Sequence, residues 1–263
     1  MLEGNCVKVR NKKIMSVAVL AGELLLKSGA EVARVQDTIE RILIAMKIED
    51  WNVFVISTGI FVTLDEMKPG SCSAVRHVPI SATDLNTIVK VNQISRELCE
   101  GKCGLDDAFR RLELCKNPQR PSEALQILAA AFGCMGFSYL FGNQFLDCLI
   151  AFFVGGGLQK FMLFTSSKNL SGFLSDILGG AGAVLVVEAF IALGFPINLD
   201  SAVIGVLMLL VPGVSFTTGI RDLFASDYLS GSIHLIYALM TAVSIAIGVG
   251  AGILFIQAIG GPL

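Results

Sequence analysis

The chain has 263 residues, 54% of them hydrophobic, and its 20 Lys and Arg against 22 Asp and Glu leave a net charge of −2. That balance, with no basic stripe, excludes a nucleic-acid binder, and seven cysteines, an odd number, argue against a disulfide framework. The charge is unevenly placed: 17 of the 20 basic residues precede Leu125, so the chain reads as an α+β cytoplasmic head followed by an all-α membrane domain.

In chain order, Met1 to Lys13 is polar and basic, and the apolar stretch Ile14 to Leu26 is interrupted by Glu23, so no cleavable signal peptide is expected. Ile14, Val17, Ala18, Ala21, Leu24 and Leu25 recur at spacings of three and four and predict an amphipathic helix, which Ser28-Gly29 ends. A second helix is predicted from Ala30 to about Lys47, with Val32, Val35, Ile39, Ile42 and Leu43 on one side. Trp51 to Ser57 and Ile60 to Leu64, separated by Thr58-Gly59, then switch to Val, Ile, Phe and Thr and predict strands. Ser73 to Val78 supplies a third after a Pro69-Gly70 turn. Asp84 to Cys99, opened by a Ser/Thr/Asp cluster suited to capping, and Leu105 to Leu114 return to helical spacing. The head thus occupies residues 1–116, and residues 117–124, with Pro118 and Pro121, form the linker.

Residues 125–263 are predicted to hold five transmembrane helices, at Leu125 to Asn143, Phe145 to Phe164, Leu174 to Leu193, Leu199 to Gly219 and Ile233 to Ile259. A bilayer core of roughly 30 Å needs about 20 helical residues, close to each run's length. The last three basic residues, Lys160, Lys168 and Arg221, flank connections that lie inside if the head is cytoplasmic. The two outside connections have none, and the C-terminal Gly-Gly-Pro-Leu falls outside.

Ionisable groups within spans are costly and usually face a protein interior or a water path. Glu188, in the third run, reads either as a proton or cation coupling site or as a protonated carboxyl bonded to a neighbouring helix. Asp176 is twelve residues earlier, roughly 120° around the helix, and reads as solvated at the interface. Pro212 removes a backbone donor from the fourth run and Gly213 loosens the next turn. Such breaks either line a midplane site, where Ser215, Thr217 and Thr218 would offer hydroxyls, or mark a kink filled by neighbouring helices. Arg221, Asp222 and Asp227 follow: an Arg with an Asp suits an α-amino acid, a dicarboxylate would use the Arg and disfavour the Asp, and Arg221 reads equally as an anchor at the membrane interface. Twenty of the 27 glycines lie beyond Leu125 and read chiefly as close helix packing.

Two stretches carry a resemblance. GELLLKSGAEVARVQDTIERI with VFVISTGIFVTL is similar to the N-terminal hallmark of the threonine/serine exporter family, and LMLLVPGVSFTTGIRDLFASDYLSGSIHLIYAL resembles its membrane hallmark. The matches frame residues 22 to about 250. Complete members are similar to this chain plus a second, smaller membrane region. The resemblance therefore implies the large subunit of the split branch, working with a separate small membrane subunit, in a possible oligomer, on threonine and serine or on dicarboxylates such as succinate. With no nucleotide loop, HExxH or GxSxG motif, no enzyme activity, cofactor or metal is expected, and a gradient must drive transport. The expectation is a proton-coupled secondary exporter of a small polar metabolite in a bacterial plasma membrane. The alternative is a membrane-anchored enzyme or ligand-binding module whose head does the work, with Glu31, Arg34, Asp37 and Glu40 as its residues.

Overall fold

The computed structural model describes residues 2–64, 72–79, 83–117, 121–141, 144–168 and 170–259, with side chains from Val9 onward. The predicted Pro69-Gly70 turn, most of the predicted 117–121 boundary and the C-terminal Gly-Gly-Pro-Leu lie outside the described residues. The chain divides into two compact units, one of Met1–Gln119 with Thr217–His234 and one of Arg120–Phe216 with Leu235–Leu263.

The first unit is built around helix α1 (Leu2–Lys27), whose Ile14, Val17, Ala18, Ala21, Leu24 and Leu25 are all buried. Helices α2 (Val32–Ala45), α3 (Leu85–Cys99) and α4 (Leu105–Cys115) pack around it. The α1 helix starts well before Ile14, because a polar, basic segment carries no apolar period to mark its beginning. Its end is as expected: Gly29 takes φ +79°, a left-handed conformation favouring glycine, and the amide of Ala30 bonds back to the carbonyl of Leu25. On α2 the five predicted apolar residues are buried together in the same core.

Strands β1 (Trp51–Ile56), β2 (Gly59–Leu64) and β3 (Cys72–His77) form an antiparallel meander in the order β1-β2-β3. The hairpin turn is Ser57-Thr58, one residue earlier than expected, since Gly59 pairs with Ile56. Period-two alternation sends Val53, Val55, Ile60, Val62 and Leu64 into the core. The opposite face carries an exposed row in register, Phe54, Phe61 and Val75.

The predicted cap on α3 is present. The Asp84 carboxylate accepts the amides of Asn86 (3.1 Å) and Thr87 (3.2 Å) and the Thr87 hydroxyl (2.7 Å). The Thr87 hydroxyl is the main influence holding the Asp84 carboxyl below its usual range, with burial opposing it. Replacing Asp84 with alanine should lower the stability of the detergent-solubilised chain by about 1 kcal/mol, read from the denaturant midpoint. Because the native value is depressed, that contribution is complete above the unfolded carboxyl value, about 3.9, and disappears as pH falls through the lower native one. The difference between wild type and variant should therefore shrink in acid.

The second unit contains α5 (Glu123–Leu140), α6 (Phe145–Ser167), α7 (Gly172–Ala192) and α8 (Leu199–Leu207). The first residues of α9 (Gly213–Phe224) and most of α10 (Tyr228–Ile259) also belong to it. Among the described residues four helices, α5, α6, α7 and α10, are long and apolar enough to cross a membrane. The fourth predicted helix is not continuous. Its run, Leu199 to Gly219, is split into α8 and α9, helices of nine and 12 residues and too short to span alone. Pro212 has no amide to give Met208, and Leu209 and Leu210 turn back on Val206 and Leu207.

This unit is apolar outside and partly polar inside. Phe132, Leu140, Phe153, Ile236, Leu254 and Phe255 are exposed, while Ser138, Asp147, Thr165, Ser175, Asp176 and Glu188 are buried. Helices apolar on their outer faces fit a lipid solvent. Its glycines pack helices closely: Gly155 lies against Cys134 of α5, Gly205 against Ser138, and Gly180, Gly248 and Gly252 seat α7 against α10.

Candidate functional site

The sequence-predicted residues fall into two groups. Glu188, Pro212, Gly213 and Ser215 belong to the second unit; Thr217, Thr218, Arg221, Asp222 and Asp227 belong to the first.

In the second unit, Glu188 is 7% exposed and both carboxyl oxygens are enclosed, with no hydrogen-bond partner among the described residues. The reading in which it bonds a neighbouring helix therefore finds no partner here. Asp176, expected to be solvated, is buried as well. Although the two carboxyls point in different directions, α7 is packed by α6, α8 and α10 and has more than one enclosed face. Asp147 was missed by sequence reasoning: it is buried near the start of α6 and accepts the amide of Asn198, fixing the entry to α8 (3.2 Å). Pro212 and Gly213 occupy the α8–α9 break, and Ser215 follows in the first turn of α9.

In the first unit, α9 and α10 meet at a tight turn in which Ser226 takes φ +66° and the Asp227 amide bonds the carbonyl of Asp222. Gly231 is packed against Leu223 and the carbonyl of Gly219, so the helices touch closely. Thr217 and Thr218 lie on α9 in the turn before Arg221. Arg221 and Asp222 are not paired with each other. The Arg221 guanidinium bonds the Glu31 carboxylate at the start of α2 (2.7 Å), while Asp222 is turned inward and buried. Asp227 caps α10 by accepting the amide of Ser230 (3.1 Å).

His234 stands seven positions into α10, with its Nε2 3.9 Å from Oδ2 of Asp222. That gap is too wide for a hydrogen bond, and neither Asp222 Oδ2 nor His234 Nδ1 has a partner among the described residues. On the same face of α10, one turn earlier, the wholly buried Ser230 accepts the amide of Ser57 from the β1–β2 turn (3.1 Å). Sequence reasoning missed His234, and a lone histidine in an apolar run carries no periodic signal that would find it. Of the residues favoured by the alternative reading, Arg34 and Asp37 line an open surface groove of about 550 Å³ between α2 and α3, in which Asp37 is neutralised by Arg41 (2.9 Å), while Glu31 pairs with Arg221 and Glu40 accepts from the Gln36 amide.

Outward apolar helices around enclosed carboxyls and hydroxyls define a multi-pass membrane protein. A family model described as "Putative threonine/serine exporter" (ThrE) matches residues 16–256, and the chain belongs to that family. It is 22% identical over 249 residues to a "Probable threonine/serine exporter" of Mycobacterium tuberculosis, a match covering 94% of this chain and 47% of that protein. It is also 26% identical over 181 residues to "Pheromone-regulated membrane protein 10" of Pichia sorbitophila, covering 64% of this chain and 18% of that one. The chain thus spans about half the length of the first relative and less of the second. No solved structure matches it.

Proposed function

We propose that this chain is the larger component of a proton-coupled secondary exporter that moves threonine or serine, or a dicarboxylate such as succinate, out of a bacterial cytoplasm with a second, small membrane subunit. The observation that carries this reading is Glu188, a carboxyl enclosed within a membrane-type helix unit without a partner among the described residues, in a chain matched by the exporter family over residues 16–256. The α8–α9 break supports a substrate path: discontinuous helices are how many carriers build a site near the bilayer midplane. Counting α8 and α9 as one interrupted crossing restores five spans, with the head in the cytoplasm on the side favoured by Lys160, Lys168 and Arg221 and the C-terminus outside.

Purified chain, alone and with a candidate four- or five-span partner, is reconstituted into liposomes loaded with labelled threonine, serine or succinate. Efflux that follows an imposed pH gradient is the expected result. Flux indifferent to the gradient removes proton coupling, and no flux of any of the three solutes, with the partner present, removes the exporter reading.

A further inference from the structure

We propose that Asp222 and His234 form a cation-exchange site, occupied alternately by a proton and by the ammonium group of an amino-acid substrate; this rests on the exporter reading and narrows its substrate class. Two complementary groups, a carboxylate oxygen and an imidazole, are buried 3.9 Å apart, and each retains an orphaned atom among the described residues. The gap leaves them associated but unbonded, an arrangement that a proton on the imidazole would close and a bound cation would replace.

The charged groups around them give the site its sign. Arg221 and Asp222 come from α9, Asp227 from the turn, Glu31 from α2 and His234 from α10. Arg221 is taken up by Glu31, and Asp227 is engaged in capping, so the carboxylate left without a counter-charge is Asp222. Arg34 also reaches Glu31 (3.7 Å), so with a neutral imidazole the six groups sum to −1, three carboxylates against two guanidiniums. A proton on His234 brings this to zero, and a substrate ammonium does the same. The site therefore takes one cation at a time. A dicarboxylate finds no free cation among these groups, because Arg221 and Arg34 are both paired with Glu31. The Ser57 hydroxyl, enclosed and unpartnered among the described residues in the β1–β2 turn whose amide bonds Ser230, adds a polar group suited to a substrate hydroxyl. Exchange breaks no covalent bond to carbon: the imidazolium N–H proton leaves to water as ammonium N–H groups bond Asp222.

The test is equilibrium binding of labelled threonine and labelled succinate to the full chain in lipid nanodiscs between pH 6 and 8, alongside liposome efflux. For threonine, the apparent Kd of wild type should weaken as pH falls, by up to about tenfold per unit, the limit for one displaced proton. H234Q should bind threonine with that slope flattened, and D222N should lose at least tenfold in affinity, while succinate binding shows no such pH response. D222E and H234N, with melting profiles for all four variants, separate a lost site from a lost fold. A wild-type slope in H234Q or H234N, or wild-type threonine affinity in folded D222N, overturns the proposal, as does failure of wild type to bind threonine. Liposomes that move no solute, from protein that still binds threonine with the pH slope, refute the exporter reading and leave this site standing.

Discussion

Replacing Glu188 with glutamine should abolish the response of transport to a pH gradient while leaving the protein folded. Glutamine keeps the size of the side chain, and the carboxyl it replaces has no hydrogen-bond partner to lose among the described residues. What disappears is the enclosed carboxyl group to which the proposal assigns coupling. A gradient of one pH unit supplies about 1.4 kcal/mol per proton, which supports about a tenfold concentration ratio in a one-for-one exchange. In liposomes the steady-state ratio should fall from about that value towards one, with the melting temperature within a few degrees of wild type. An unchanged ratio would remove Glu188 from the coupling machinery and leave it a buried carboxyl of structural consequence only.

Replacing Gly248 with valine should prevent assembly of the helical unit. A Cβ at this position would overlap the carbonyl of Ile177, a backbone atom that cannot rotate away. Gly180 opposite Ile245 and Val249, and Gly252 opposite Ala181 and Val184, keep the two helices close along several turns, so relief at one point would disturb the whole α7–α10 contact. Overpacking typically costs about 1–3 kcal/mol, and a backbone collision belongs at or above the top of that range. Even Gly248→Ala should lower the melting temperature clearly. Gly250→Ala provides the contrast, since nothing lies within 4 Å of a Cβ there, and it should melt as wild type does. Equal melting of the two alanine variants would contradict the close α7–α10 packing.

Much of the head was legible in the chain because its cues are local. The apolar period of α2, the β-branched and aromatic composition of β1 and β2, and the Asp84 cap all act within a few residues of their own position. The membrane-type helices were legible for a different reason, that apolar composition over about 20 residues is itself the requirement. The continuity of the fourth run was not, because hydropathy measures composition and ignores the hydrogen-bond ladder. Leu199 to Gly219 is apolar throughout, yet its ladder is interrupted at Pro212. The surroundings of the candidate residues were hidden for a third reason. Arg221 finds Glu31 across 190 positions of sequence, and His234 reaches Asp222 only because Ser226 and Gly231 fold α10 tightly back on α9. Helical phase gave the 120° between Asp176 and Glu188, but how many neighbours surround α7 is a property of the tertiary packing alone.

The most direct measurement is the reaction of a membrane-impermeant thiol reagent with single cysteines at Val211, within the α8–α9 break, and at Ser215, in the first turn of α9, in a cysteine-free background that still transports. A water-filled substrate path predicts labelling at both positions and protection by transported solute. Positions sealed from the reagent in every condition, in an assembly shown to be competent, would contradict it.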